Sequence, residues 1–478
     1  MDDRSLPLQL IDGHWRAGRG PAYNTVTDPA SAEPVATYAR ASQDDIADAL
    51  AACEAGFEAW RGQTALERAK VLRAGAAALR ADGERIAQLL THEQGKPLVE
   101  ARRELEQAAD TLEWHADEGR RAYGQVIPSR WPGTQFHTER VPVGPVAAFT
   151  PWNFPVMLSA IKLSAALAAG CSVILKPAEE TPMAVAAMVD CLHQAGLPPG
   201  ALQLLVGDAA QISESLIRAP QIRKISFTGS TAVGRLLAQQ AGQHLKPITL
   251  ELGGHAPVVV CEDADLEAAV RALAGIKFRN AGQICANPSR FFVHRSLAGR
   301  FAQAFADVAQ SLQVGPGAQA GTTMGPLANP RRVAAMQALV ADAQACGARV
   351  VHGGGRGAEN GYFFEPTVLA DVPDHARVMR EEPFGPLVPI TPFDSLDEAI
   401  GRANAIELGL AAFGFTQSLA TARRLSNELR AGAVAINTVT LMQPETPFGG
   451  VRDSGFGREN GSEGLASYQS VRTVAIAV

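Results

Sequence analysis

Several absences narrow the field before any motif is considered. No Cys-x-x-Cys occurs among the six cysteines, Cys53, Cys171, Cys191, Cys261, Cys285 and Cys346, and their wide spacing suggests no disulfide framework. The 10 histidines show no HExxH or comparable ligand spacing, so no metal is expected. Basic residues form no run long enough to act as an arm, and the net charge is -6. Neither nucleic acid nor an anionic membrane is therefore expected as a partner. No stretch reaches the roughly 20 consecutive apolar residues of a membrane helix. The most apolar region, from about Val141 to Leu175, is broken by Pro145, Pro151, Pro155 and Lys162. The opening Met1-Asp2-Asp3-Arg4 is acidic with no apolar core behind it, so no secretory signal is read and the cytoplasm is the expected location. Internal repeats, heptad arrays and low-complexity tails are also missing.

What remains is a chain of 478 residues, 46% hydrophobic and 19% charged, long enough for two or three domains with cores of their own. Short β-rich runs alternate with long Ala/Leu-rich helical patterns. Helices are expected over Gln43–Trp60, Ala65–Glu93 and Leu98–Gly119. Strands at Val143–Thr150, Ser172–Lys176, Ala201–Val206 and Lys224–Thr228 alternate with helices at Met157–Ala169, Pro182–Gln194, Ala209–Arg218 and Thr231–Ala241. That order implies βαβ units and a parallel sheet, hence an α/β fold. A second alternation begins near Ala264, with helices such as Leu266–Asn280 and Ala334–Ala345 and strands such as Phe291–His294 and Val388–Phe393. Ligands in open α/β sheets sit beyond the carboxyl ends of strands. This gathers Pro151-Trp152-Asn153, Lys176 to Glu180 and Gly229-Ser230 around one crevice.

Three local patterns suggest chemistry. Ala281-Gly-Gln-Ile-Cys285 sets a cysteine in a glycine-containing turn, although a buried structural thiol reads the same way. Thr249-Leu-Glu251-Leu-Gly-Gly254 puts a carboxylate at a strand end, where a surface salt bridge is the plain alternative. Thr150-Pro-Trp-Asn153-Phe-Pro155 fixes the backbone around an amide, which a simple turn with a capping Asn also explains.

Together the three resemble the aldehyde dehydrogenase superfamily, over nearly the whole chain from Asp12-Gly-His-Trp15 to Ser454-Gly-Phe-Gly-Arg-Glu459. Further matches are Leu175-Lys-Pro177, Phe227-Thr-Gly-Ser-Thr-Ala-Val-Gly234, Glu381-Glu-Pro-Phe-Gly-Pro386 and Pro447-Phe-Gly-Gly450. The resemblance implies a Cys285 nucleophile that forms a thiohemiacetal and then a thioester. It implies an oxyanion site built from the Asn153 amide and the Cys285 backbone N–H, and Glu251 as general base. It also implies a cofactor, NAD with NADP possible, held by Thr150, Pro151, Trp152, Lys176, Glu179, Gly229, Ser230, Gly234, Leu252, Glu382 and Phe384. Gly229-Ser230 opens a helix whose free N–H groups suit a pyrophosphate, while a tight turn needing glycine is the bland reading. A carboxylate at Glu179 would accept ribose hydroxyls and repel a 2'-phosphate, which favours NAD.

Within the superfamily the chain looks most like the succinate-semialdehyde and ketoglutaric-semialdehyde dehydrogenases, through Trp114 to Arg121, Glu251 to Pro257 and Lys277 to Gln283. Arg279 matches the arginine that grips the far carboxylate of the substrate in that branch; a solvated arginine is the alternative. Ile161 stands where the branch has a second arginine, and Met442 where it has a serine. A bulkier aliphatic or aromatic aldehyde is therefore a second candidate beside an ω-carboxy aldehyde, and a catalytically silent relative a third. Asn287 replaces a second cysteine, so a local disulfide switch is not expected. The expected architecture is a Rossmann-like NAD-binding domain (1–122 and 141–252), an α/β catalytic domain (253–465) and a small β oligomerisation element (123–140 and 466–478). The strand-like tail needs a partner for its apolar edge, which implies a homodimer or homotetramer.

Overall fold

The computed structural model describes residues 8–358 and 360–477. The acidic start Met1–Arg4, Glu359 of the glycine-rich turn and the terminal Val478 lie outside the described residues. Two sheets organise the chain. The first has eight strands in the order His14–Arg16, Gln9–Ile11, Leu202–Leu204, Val173–Lys176, Val146–Phe149, Lys224–Thr228, Ile248–Glu251 and Gly455–Phe456. Its five central strands run parallel. They are almost wholly buried, as in parallel sheets covered by helices, with polar residues such as Lys176, Thr228 and Glu251 at their carboxyl ends. Strand order reverses between Val146–Phe149 and Lys224–Thr228, and a crevice opens beyond the carboxyl ends at such a point. Thr150, Gly229 and Leu252 follow directly on three of these strand ends.

The second sheet has seven strands, in the order Arg349–His352, Thr367–Ala370, Leu387–Phe393, Pro288–His294, Ala256–Val260, Ala411–Phe415 and Ala433–Ile436, all parallel but the first. Helices Leu266–Lys277, Arg295–Ser311 and Pro330–Ala345 pack on it around a core containing Phe291, Phe301 and Phe305. A third sheet pairs Thr134–Pro142 with Gln469–Ala477 on one side and Val126–Ile127 on the other. It carries exposed apolar side chains, among them Val126 at 88% and Val471 at 56% exposure.

The differences from expectation have local causes. The stretch Ala65–Glu93 divides into Ala65–Ala81 and Gly83–Gln94 at Asp82, which ends one helix and begins the next. The helix expected from Met157 starts at Pro155, because proline suits the first helical position; Gly170, left-handed at φ 95°, ends it. The helix expected through Asn280 stops at Lys277. Thr367–Ala370 and Ala411–Phe415 carried no expectation; apolar runs of four or five residues lack a readable period. Gly455–Phe456, far along the chain, returns to pair with Ile248–Glu251 and completes the first sheet. Among the described residues no helix is long and apolar enough to cross a membrane.

Candidate active site

A cavity of ≈ 370 Å³ lies between the two large sheets' strand ends. Pro151, Trp152 and Asn153 line it from one side, Gly229 and Ser230 from another, and Glu251, Leu252, Cys285, Glu382 and Phe384 complete it. Ten of the residues singled out in the sequence thus share one space.

The cysteine turn is built under strain. Asn280 and Ala281 adopt left-handed φ values of 49° and 51°, and Gly282 follows at 78°. Such residues cost about 1–2 kcal/mol each unless the surroundings hold them. Here Glu100 accepts the Asn280 backbone N–H at 2.8 Å, and Asn287 donates to the carbonyls of Lys277 and Gly282 at 3.1 and 2.9 Å. Asn287 therefore staples the loop that presents Cys285. Gly254 makes room for it: a Cβ there would stand 2.3 Å from the Cys285 carbonyl oxygen.

Burial, with the nearby Glu382 and Glu251 carboxyls, pushes the Cys285 thiol up to about 12. The thiol is thus neutral at rest and needs a proton acceptor to become a nucleophile. Glu251 is also buried, and neither of its oxygens has a hydrogen-bond partner. Burial first, then the charge of Glu459, raises its carboxyl well above the ordinary range. A carboxyl with free oxygens and raised basicity is suited to take a proton from water. Asn153 Nδ2 donates to the Gln283 carbonyl at 3.0 Å, and its Oδ1 is unpartnered.

The cofactor region passes a simple fit test. Ser230 caps the helix Thr231–Gln243, whose first turn faces the cavity. Thr228 Oγ1, buried without a partner, lines the same wall. A Cβ at Gly234 would meet Leu252 at 2.3 Å, so the glycine lets helix and strand end close on each other. Lys176 pairs with Glu179 at 2.7 Å, outside the cavity wall but one hydrogen bond from Thr150, whose N–H donates to the Lys176 carbonyl. Glu382 accepts the Gly254 N–H at 3.1 Å, and burial raises its carboxyl to about 7. Phe384 meets Trp152 edge-on at 5.4 Å. Glycines, a helix N-terminus and unused donors and acceptors in one cradle fit a nucleotide.

Ile161 and Met442 come together in an apolar cluster with Phe154, Met157, Leu158 and Ile284. Leu158 also lines the cavity, so the cluster adjoins it. Arg279 lies at the edge of this cluster, its guanidinium 5.3 Å from the Phe154 ring. Among the described residues its hydrogen bond is to Gln107, at 3.4 Å, and its Nε is buried without a partner. Among the described residues, no carboxylate lies within ion-pair distance of it.

The aldehyde dehydrogenase family profile matches residues 15–474. This chain belongs to the aldehyde dehydrogenase family. The dehydrogenase is 53% identical to the 4-(hydroxymethyl)benzenesulfonate dehydrogenase TsaD1 of Comamonas testosteroni over 462 residues, 97% of this chain and 96% of that one. It is 40% identical over 479 residues to the NADP(+) succinate-semialdehyde dehydrogenase GabD of Escherichia coli K12, covering 100% and 99% of the two chains. The crystal structure of succinate-semialdehyde dehydrogenase from Burkholderia pseudomallei superposes with a TM-score of 0.97 at 42% identity, covering 98% of each chain. The enzyme thus oxidises an aldehyde with a nicotinamide cofactor, NAD(P), in the fold the sequence motifs implied.

Some residues at this dehydrogenase's site escaped the sequence reading. Lys162, fully enclosed, pairs with Glu459 and donates to Ser226 at 3.1 Å, one residue layer behind Glu251. A signal existed: it is the one charge in the otherwise apolar helix Pro155–Ala169. Lys96, Glu104 and Asn280, which surround Asn153, left no comparable mark.

Proposed function

We propose that this dehydrogenase oxidises an aldehyde whose far end carries an anionic group, succinate semialdehyde or a related ω-carboxy aldehyde. The observation that carries this reading is Arg279, which has no carboxylate partner among the described residues and lies at the edge of the apolar cluster that adjoins the Cys285 cavity through Leu158. A buried or half-buried cation is normally paired, so an open one suits an anionic ligand, which a guanidinium binds bidentately.

In this reading the Cys285 sulfur bonds to the carbonyl carbon as its proton passes to Glu251, which sheds it to solvent before the hydrolytic step, and the Asn153 amide and the Cys285 N–H receive the oxyanion. The bound nicotinamide supplies the acceptor for the hydride that leaves the thiohemiacetal. Glu251 then takes a proton from water, whose oxygen bonds to the thioester carbon and releases the acid and the thiol. Lys176 and Glu179 hold the adenosine ribose, and the Glu179 carboxylate disfavours a 2'-phosphate, so NAD is the preferred cofactor. Gly229, Ser230 and Gly234 take the pyrophosphate, while Glu382 and Phe384 take the nicotinamide end. Residues 1–122 and 141–252 form the nucleotide domain and 253–465 the catalytic domain. Residues 123–140 and 466–478 assemble a homodimer or a dimer of dimers through the exposed Val126 and Val471 and the free edge of Gln469–Ala477. Six free cysteines suit the reducing cytoplasm.

A second reading has specific support. Ile161 and Met442 keep the cluster beside the Cys285 cavity apolar, and TsaD1 is named for a benzenesulfonate. Both favour an aromatic body between aldehyde and anion. Formation of reduced nicotinamide from succinate semialdehyde, ketoglutaric semialdehyde, 4-formylbenzenesulfonate, hexanal and benzaldehyde, each with NAD and NADP, decides between them. Cys285→Ala is the blank. Higher kcat/KM for the semialdehydes supports the first reading, and for the formylbenzenesulfonate the second. Preference for hexanal or benzaldehyde removes the anion from both.

A further inference from the structure

Lys96 sits in the short link between the helices Gly83–Gln94 and Leu98–Glu118, yet its side chain is fully enclosed beside the candidate oxyanion site. Its ammonium makes three contacts. It pairs with Glu104 Oε2 at 2.5 Å, donates to the main-chain carbonyl of Asn153 at 2.7 Å, and stands 4.0 Å from the centroid of the Phe154 ring. The other oxygen of Glu104 accepts the N–H groups of Val156 and Met157 at 2.9 and 3.2 Å, free donors at the start of the helix Pro155–Ala169. One ion pair therefore grips the chain on both sides of Phe154-Pro155.

An enclosed ion pair is a poor way to gain stability, because desolvation offsets most of the attraction. A task in positioning accounts for it better. The Asn153 amide makes one hydrogen bond, from Nδ2 to Gln283, so its side-chain bonds alone fix it weakly. Its place depends on its own backbone. That backbone carbonyl receives Lys96 and also Asn280 Nδ2 at 2.9 Å, but Asn280 belongs to the left-handed turn before Cys285. Lys96 is the anchor that does not come from the cysteine loop. An oxyanion donor contributes fully only when held within a few tenths of an ångström of its acceptor.

We propose that Lys96, through its bond to the Asn153 carbonyl, is the positioning residue that holds the Asn153 amide where the oxyanion forms beside Cys285. This rests on the reading of Asn153 as an oxyanion donor. Loss of the ammonium lets the loop between Pro151 and Pro155 pivot, and the amide loses alignment while the thiol and the cofactor cradle stay in place.

The test is a double-mutant cycle on the full-length enzyme. Lys96→Met, Lys96→Met/Glu104→Gln and Asn153→Ala are compared with their combinations by single-turnover formation of reduced nicotinamide, enzyme in excess. The Lys96→Met/Glu104→Gln variant leaves no charge at residue 104 without its partner, retains an acceptor for Val156 and Met157, and carries the test if Lys96→Met alone does not fold. Asn153→Ala should slow the step by about 10²–10³-fold. The Lys96 variants should slow it by about 10–100-fold when Asn153 is present, mostly in kcat. They should change it less than about twofold in the Asn153→Ala background, because the same amide is already gone. Equal loss in both backgrounds means general damage and overturns the proposal. A Lys96 variant at wild-type rate, with Asn153→Ala slow, overturns the proposal alone. Asn153→Ala at wild-type rate overturns the oxyanion reading and the proposal with it.

Discussion

Replacing Arg279 by methionine separates substrate anchoring from everything else the residue does. Methionine keeps an unbranched stem beside Phe154 and deletes only the guanidinium. In the free enzyme that group makes one 3.4 Å bond to Gln107 and one cation–ring contact at 5.3 Å. Losing them should cost less than about 1 kcal/mol of stability, since a partly exposed cation–ring contact contributes about 0.5–1 kcal/mol. With an anionic aldehyde bound, the same group makes charge-assisted hydrogen bonds contributing about 1.5–3 kcal/mol. That converts to a fall in kcat/KM of about 10–150-fold for succinate semialdehyde or 4-formylbenzenesulfonate, carried mainly by KM. Hexanal and benzaldehyde have no anion to lose, and their kcat/KM should stay within about twofold. Steady-state assays on the wild type and Arg279→Met, with thermal unfolding as a control, supply the comparison. An equal fall for neutral and anionic aldehydes, or no fall for either, refutes the anchoring argument.

Three other expectations follow from the site. Because burial lifts the Cys285 thiol to about 12, its alkylation by iodoacetamide in the cofactor-free enzyme should rise tenfold per pH unit from 7 to 10, the thiolate fraction growing as pH approaches the pKa from below; a plateau near pH 8 would contradict this. Gly254→Ala places a Cβ 2.3 Å from the Cys285 carbonyl oxygen, and the resulting shift of the cysteine should lower kcat/KM by about 10²-fold, measured with the preferred aldehyde. Glu179→Gln removes the charge expected to repel a 2'-phosphate and should raise the NADP-to-NAD ratio of kcat/KM by about tenfold, equivalent to about 1.4 kcal/mol; an unchanged ratio would detach Glu179 from cofactor choice.

What could be read from the sequence was what is local. Cys285, Glu251 and Asn153 each sit in a short run with glycine or proline; the alternation of strands and helices brought the loops of Asn153 and Gly229-Ser230 to one crevice, and the family resemblance joined Cys285 and Glu251 to them. The supports of those residues were not legible, because they depend on approaches between distant segments. Asn280 meets Glu100 across 180 residues, and Lys162 meets Glu459 across 297. The sequence pattern carries the helix through Asn280, although asparagine tolerates a left-handed φ; Ala281 gives no sign of the positive φ that its surroundings impose. Gly455–Phe456 was invisible for a similar reason: two residues carry no period, and their place beside Ile248–Glu251 depends on the chain's return.

The antiparallel pairing of Thr134–Pro142 with Gln469–Ala477 has a consequence for biosynthesis. Arg472 lies 333 residues after Glu139, its partner across that pairing. At about 5–20 residues per second, the ribosome needs roughly 20–70 s to cover that distance. Throughout that interval Thr134–Pro142 has one side unsatisfied, and Glu459, the partner of Lys162 behind Glu251, has not yet been made. The nascent dehydrogenase therefore carries an open β edge at Thr134–Pro142 until Gln469–Ala477 is made, and an open edge is a template for wrong pairing. A chain stopped before Gly455 would hold Cys285 yet lack both the last strand of the first sheet and the strand that pairs with Thr134–Pro142.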